Sequence, residues 1–150
     1  MKQLSWKEIA EFVGIAGVIA SLAIVALEIR ENTSAVRSAT IHAIASESYG
    51  AAMRIVENSE LRSAYWAAFD GDLSEEQHRL LTVFAIGVMR IQVNRYEQIK
   101  LGYLDLETAL RIGGRSNFYT TDFFREFWAR TKEDYPSDFQ EYMSLYNVLE

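Results

Sequence analysis

The sequence predicts an all-α fold: a long N-terminal apolar helix plus a compact bundle of about five helices. Three observations carry that prediction. Only one proline occurs in 150 residues, so little in the chain forbids helix. No run alternates apolar and polar residues at period two, as a half-buried strand would. Helix start and stop signals recur after residue 57 at spacings that suit short helices.

The first element is the plainest. Phe12 to Leu27 is a run of 16 residues without a charge, bounded by Glu11 and Glu28. Ile9, Ala10 and Ile29 extend it to about the 20 residues that a helix needs to cross a bilayer core. Lys7 and Arg30 would then lie about 35 Å apart along the axis, far enough to reach opposite interfaces. Trp6 stands where an interfacial aromatic anchor is common. A single-pass membrane span is the first reading. A helix buried in a soluble oligomer is the second, because Glu11 and Glu28 are costly against lipid. A cleaved leader is the third; Val18-Ile19-Ala20 resembles a cleavage site, but Glu8 and Glu11 spoil its basic start. Ala10 and Gly14, and Gly17 and Ser21, are each four residues apart, a spacing that lets two helix backbones approach closely. The positive charges flanking the segment balance, so they set no orientation.

Glu31-Asn32-Thr33-Ser34 is a cluster of weak helix formers, which either breaks the first helix or marks where it leaves the membrane. The expected division is therefore residues 1–34 as the apolar helix and 35–150 as the bundle. From Ala35 to Asn58, Ala35, Ala39, Ala43, Ser46 and Gly50 suggest a face for close packing. Ser59 reads as an N-cap and Asp70-Gly71 as a stop. Ser74 and Gln77 form a capping-box pattern, and the helix they open should stop at Gly102. Leu80 to Val93 is apolar on nearly all sides, which predicts a central helix surrounded by others. Asp105 and Thr121 read as further N-caps, and Gly113-Gly114 as a stop. Pro136 opens the last helix, with Ser137 to Gln140 as a second capping-box pattern.

Composition excludes several function classes. Without cysteine there is no disulfide framework, Cys-ligated zinc or thiol nucleophile. A net charge of −6 argues against nucleic acid as a partner. Glu75 and His78 match the Glu-x-x-His spacing of di-iron helices, but that site needs two such motifs, and the only other histidine is His42. His42 reads as a structural residue. No metal site, cofactor or catalytic residue is predicted. Gly113-Gly114-Arg115 follows a helix and lacks the rest of a phosphate loop.

Arg90, Asn94 and Glu97 are the sharper feature. They lie within about 60° of one another and interrupt an otherwise apolar helix. They read either as a buried polar network fixing helix packing or as a ligand pocket anchored by Arg90. The final third is aromatic: Phe118, Tyr119, Phe123, Phe124, Phe127, Trp128, Tyr135, Phe139, Tyr142 and Tyr146. Core packing is the first reading of that run, and docking on a membrane or partner the alternative.

Phe12-Val13-Gly14 and the segment Ile29-Arg30-Glu31-Asn32-Thr33-Ser34-Ala35-Val36-Arg37 resemble a group of small bacterial proteins. That group combines an N-terminal apolar helix, an I-R-x-N-T-x-A-x-R exit and a helical remainder. Asn58-Ser59-Glu60-Leu61, the Arg90/Asn94/Glu97 stretch running into Leu101-Gly102-Tyr103-Leu104, and the aromatic run through Trp128 are similar to it as well. Glu28 and Glu31 depart from it, standing where glutamine is common in the group. The resemblance implies a helical fold and a place in the bacterial inner membrane; it implies no activity and no catalytic residue.

The functional expectation is a non-enzymatic, membrane-anchored interaction or scaffolding protein. Its expected partners are membrane lipid, a second copy of itself and another membrane protein. Self-association would use Ala10, Gly14, Gly17 and Ser21. One alternative is a small-ligand sensor using Arg90, Asn94 and Glu97. Another is a soluble oligomer that buries the N-terminal helix at its interface.

Overall fold

The computed structural model describes residues 5–113 and 116–146. Among these the chain is helical without strands: α1 (Trp6–Glu57), α2 (Ser59–Asp70), α3 (Glu75–Lys100), α4 (Leu106–Gly113), α5 (Asp122–Thr131) and α6 (Ser137–Ser144). Single 3-10 turns at Asn117–Thr120 and Lys132–Asp134 flank α5. The fold class is the predicted one, a long apolar N-terminal helix and a helical bundle.

α1 does not break at Asn32; it is one helix of 52 residues. The weak formers there cost only a few tenths of a kcal/mol each, less than the cost of nucleating a second helix. Thr33 also satisfies its hydroxyl locally, donating to the Ile29 carbonyl at 2.8 Å. By contacts the chain divides into two units, Met1–Ala39 and Thr40–Glu150.

In the first unit, every described residue is exposed. The helix is long and apolar enough to cross a membrane. At 100° per residue, the large apolar side chains of residues 12–29 spread around the helix axis and leave one gap. Ala10, Gly14, Gly17 and Ser21 fall within about 60° of one another and fill that gap with small side chains.

In the second unit, the aromatic run forms the core as read from the sequence. Phe118, Tyr119, Phe123, Phe124, Phe127, Trp128, Phe139, Tyr142 and Tyr146 are buried with Leu61, Leu81, Ala85 and Met89. Phe124 sits edge-on to Phe118 and Tyr119 at 5.4 and 5.0 Å between ring centroids. A smaller cluster joins Ile44 of α1 to Leu104 and Ala109. The buried side of α1 here is therefore the Ile41, Ile44, Ser48, Ala51, Ile55 series. It is not the predicted Ala-rich face, whose Ala43 and Ser46 are exposed.

Most caps follow the sequence. Ser74 and Gln77 form the reciprocal capping box of α3. Gly102, at φ 73, lets the Tyr103 N–H close onto the Gln98 carbonyl after α3. Asp105 accepts from the Thr108 N–H at 2.7 Å, a bond that holds its carboxyl below the usual aspartate range. Thr121 caps α5.

Three further expectations fail. The N-cap of α2 is Asn58, whose side chain accepts from the Leu61 N–H at 2.9 Å; Ser59 is already helical. Ser137 makes no capping box, because Pro136 holds the cap position and Gln140 donates to the Tyr135 carbonyl instead. α3 is not surrounded: Val83 is 70% exposed and Ile86 is also exposed. Its neighbours cover one side only, so apolar character all round did not translate into burial all round. Gly114 and Arg115 lie outside the described residues.

Candidate functional site

α3 presents two polar groups on opposite faces. Arg90, Asn94 and Glu97 occupy one face, about 180° from the Leu81–Ala85 line that packs into the core. Arg90 and Glu97 are exposed and Asn94 is half-buried. They are thus not a buried network, and no hydrogen bond joins the three among the described residues. Asn94 instead donates to Glu47 of α1 at 3.1 Å and accepts from Gln98 at 3.4 Å. Arg90 edges an open groove of about 500 Å³ between α1 and α3, with Glu47, Arg54, Leu80 and Val83.

The other face carries the polar group that sequence reasoning missed. Gln92 and Arg95 fall within about 80° of Leu81 and Ala85 and enter the core with them. Gln92 is fully buried and Arg95 is 2% exposed. The signal lay in the sequence as the continuation of the 81, 85, 89 series to 92 and 95. It was obscured because the more conspicuous polar residues sit on the solvent side.

The hydrogen bonds around Arg95 follow from donor arithmetic. A guanidinium only donates, so the Gln92 amide must turn its oxygen toward it. Arg95 Nη1 donates to Gln92 Oε1 at 2.9 Å, and Nη2 donates to Ser48 Oγ at 2.7 Å. Gln92 Nε2 then faces the other way and donates to the Tyr119 hydroxyl at 2.6 Å. Tyr142 donates to Gln92 Oε1 at 3.1 Å and lies 2.9 Å from the Tyr146 hydroxyl. Ser48 donates to the Ile44 carbonyl at 2.8 Å. Arg95 Nε has no partner among the described residues.

No carboxylate forms an ion pair with Arg95 among the described residues. The phenols beside it do not supply a counter-charge either. Burial pushes Tyr119 up to about 12 and raises Tyr142 as well, so both stay neutral at physiological pH. Among the described residues the core therefore holds a cation without a counter-charge, a costly arrangement. Arg95 and Tyr119 line a half-enclosed cavity of about 180 Å³, together with Ser48, Tyr65, Phe84 and Phe118.

The histidines take no part. His42 is exposed, and the His78 ring stands edge-on to Phe123 at 5.0 Å. Glu75 pairs with Arg79 at 3.6 Å on the surface. No group of three or more metal-ligating side chains comes together among the described residues. Comparison with family models, with curated proteins and with solved structures finds no match.

Proposed function

We propose that this chain is a membrane-anchored helical interaction protein. It crosses the bacterial inner membrane once, through residues 9–29, and self-associates in the bilayer. Its bundle serves as a scaffold for a second copy or another membrane protein rather than as an enzyme.

The observation that carries this reading is the set of unpartnered apolar side chains on α1. Phe12, Val13, Ile15, Val18, Ile19, Leu22, Ile24, Val25, Leu27 and Ile29 are all exposed. A helix docking on one protein surface needs one apolar stripe, whereas a helix in lipid is apolar on every side. The polar groups within the segment fit lipid too. Ser21 donates to the Gly17 carbonyl at 2.9 Å, so its hydroxyl demands nothing from the surroundings. Glu11 and Glu28 are about 26 Å apart along the axis, a few Å short of a hydrocarbon core of about 30 Å, a mismatch that an upright span meets by local thinning of the bilayer. The bacterial setting rests on the resemblance to small bacterial membrane proteins.

Self-association rests on the small stripe. A Cβ placed on Gly14 or Gly17 would meet nothing within 4 Å, so this chain does not itself use their small size. A second helix would, by bringing its backbone close to Ala10, Gly14, Gly17 and Ser21.

The test is alkaline-carbonate and high-salt extraction of membranes carrying either the full chain or a chain starting at Thr33. Retention of the full chain alone in the pellet supports an integral anchor. A soluble full chain with an aggregating truncation would replace this reading with a soluble oligomer that buries residues 9–29.

A further inference from the structure

We propose that the cavity beside Arg95 is a binding site for a small aromatic monocarboxylate. The site lies wholly within the bundle and does not depend on the membrane anchor.

The charge of the occupant follows from what the site lacks. Arg95 is buried with no carboxylate partner among the described residues, and it uses two of its five N–H donors. Tyr119 accepts from Gln92, which leaves its own O–H proton without an acceptor among the described residues. Ser48 Oγ has already committed its proton to the Ile44 carbonyl. Donors are thus in surplus, and the complement is a group that only accepts. A carboxylate is such a group, and it matches the guanidinium fork in shape.

The size and apolar character follow from the rest of the wall. A cavity of about 150 Å³ holds a benzene ring. The cavity here, of about 180 Å³, has room for a ring and one small substituent. Tyr65 and Phe118 stack at 5.4 Å, and Phe84 stands edge-on to both, at 6.5 and 5.7 Å, so an aromatic ring finds aromatic neighbours. A benzoate-sized anion would place its carboxylate against Arg95 and Tyr119 and its ring among Tyr65, Phe84 and Phe118. Phosphate or sulfate would supply acceptors but leave the apolar wall unfilled. A long acyl chain exceeds the volume.

The experiment uses the full-length chain in phospholipid nanodiscs with labelled Ile and Val methyls. Ile55, Val88 and Ile91 also line the cavity and report on its contents. Benzoate should shift the methyls of those three residues saturably. Benzamide, which keeps the ring but lacks the charge, should bind at least about tenfold more weakly. Arg95→Met should reduce benzoate affinity by at least about tenfold and benzamide affinity by clearly less. The proposal is overturned if millimolar benzoate leaves these methyls unmoved, or if benzoate and benzamide bind alike. The second comparison uses the unaltered protein, so it decides the matter even if Arg95→Met fails to fold.

Discussion

The two units of this chain invert the usual rule in opposite ways. Residues 9–29 expose large apolar side chains where a soluble helix carries charge. The bundle buries a guanidinium where a core is ordinarily apolar or paired. Each inversion is costly for the chain alone, and the two proposals relieve each with something outside it: lipid for the first, an anion for the second. Chemistry that is unfavourable within the isolated chain is thus the most informative chemistry it has. The ordinary parts, such as the aromatic core and the capped helices, explain why the bundle folds but say little about what it does.

The comparison predicts that the two regions fail separately. Phe124→Ala removes a fully buried ring from the centre of the aromatic cluster. It should cost about 3–5 kcal/mol in chemical denaturation of the bundle, with membrane retention unchanged. Ile19→Arg places a charge near the middle of the apolar segment and should cost about 3 kcal/mol of insertion, read as loss from the carbonate-resistant pellet. The melting of its bundle should not move. If either variant disturbs both readouts, the two regions are not independent.

Arg95→Met sharpens the comparison because its sign is unusual. Gln92 Oε1 keeps the Tyr142 hydroxyl as a donor and Ser48 keeps its bond to Ile44, so the substitution leaves no new orphan. Removing a buried charge with no counter-ion among the described residues should therefore stabilise the ligand-free bundle by about 1–3 kcal/mol, read in the same denaturation experiment. A loss of stability would mean that the cation is already compensated. The smallest expected effect is at the start of α2. Asn58→Ala should cost about 1 kcal/mol, while Ser59→Ala should be nearly neutral.

That last contrast also shows how far the sequence could be read. Asn58 and Ser59 are adjacent good caps, and only the backbone decides between them: Asn58 is extended at φ −101, ψ 110, and Ser59 is the first helical residue. Ser74, Asp105, Thr121 and Gly102 had no such competitor, and their roles were legible. The continuity of α1 through Asn32 was not, because local weakness says nothing about the cooperativity of a helix that continues on both sides. For the site, the proper clue was register. Arg90, Asn94 and Glu97 drew notice as polar residues in an apolar stretch, yet they share a face with one another and not with Leu81, Ala85 and Met89. Gln92 and Arg95 do share that apolar face. A polar residue in phase with the core carries more information than a polar cluster out of phase with it.

Site-directed spin labelling along α1 tests the central claim most directly. The absence of cysteine makes single substitutions clean. With the full chain in phospholipid vesicles, labels at Val13→Cys, Val18→Cys, Ile19→Cys, Leu22→Cys and Val25→Cys should be more accessible to oxygen than to a water-soluble nickel chelate. The contrast should peak near Val18 and Ile19 and hold around the helix, except along the Ala10, Gly14, Gly17 and Ser21 stripe. High accessibility to the chelate throughout, or protection confined to one apolar stripe, would contradict a membrane span and return residues 9–29 to a protein interface.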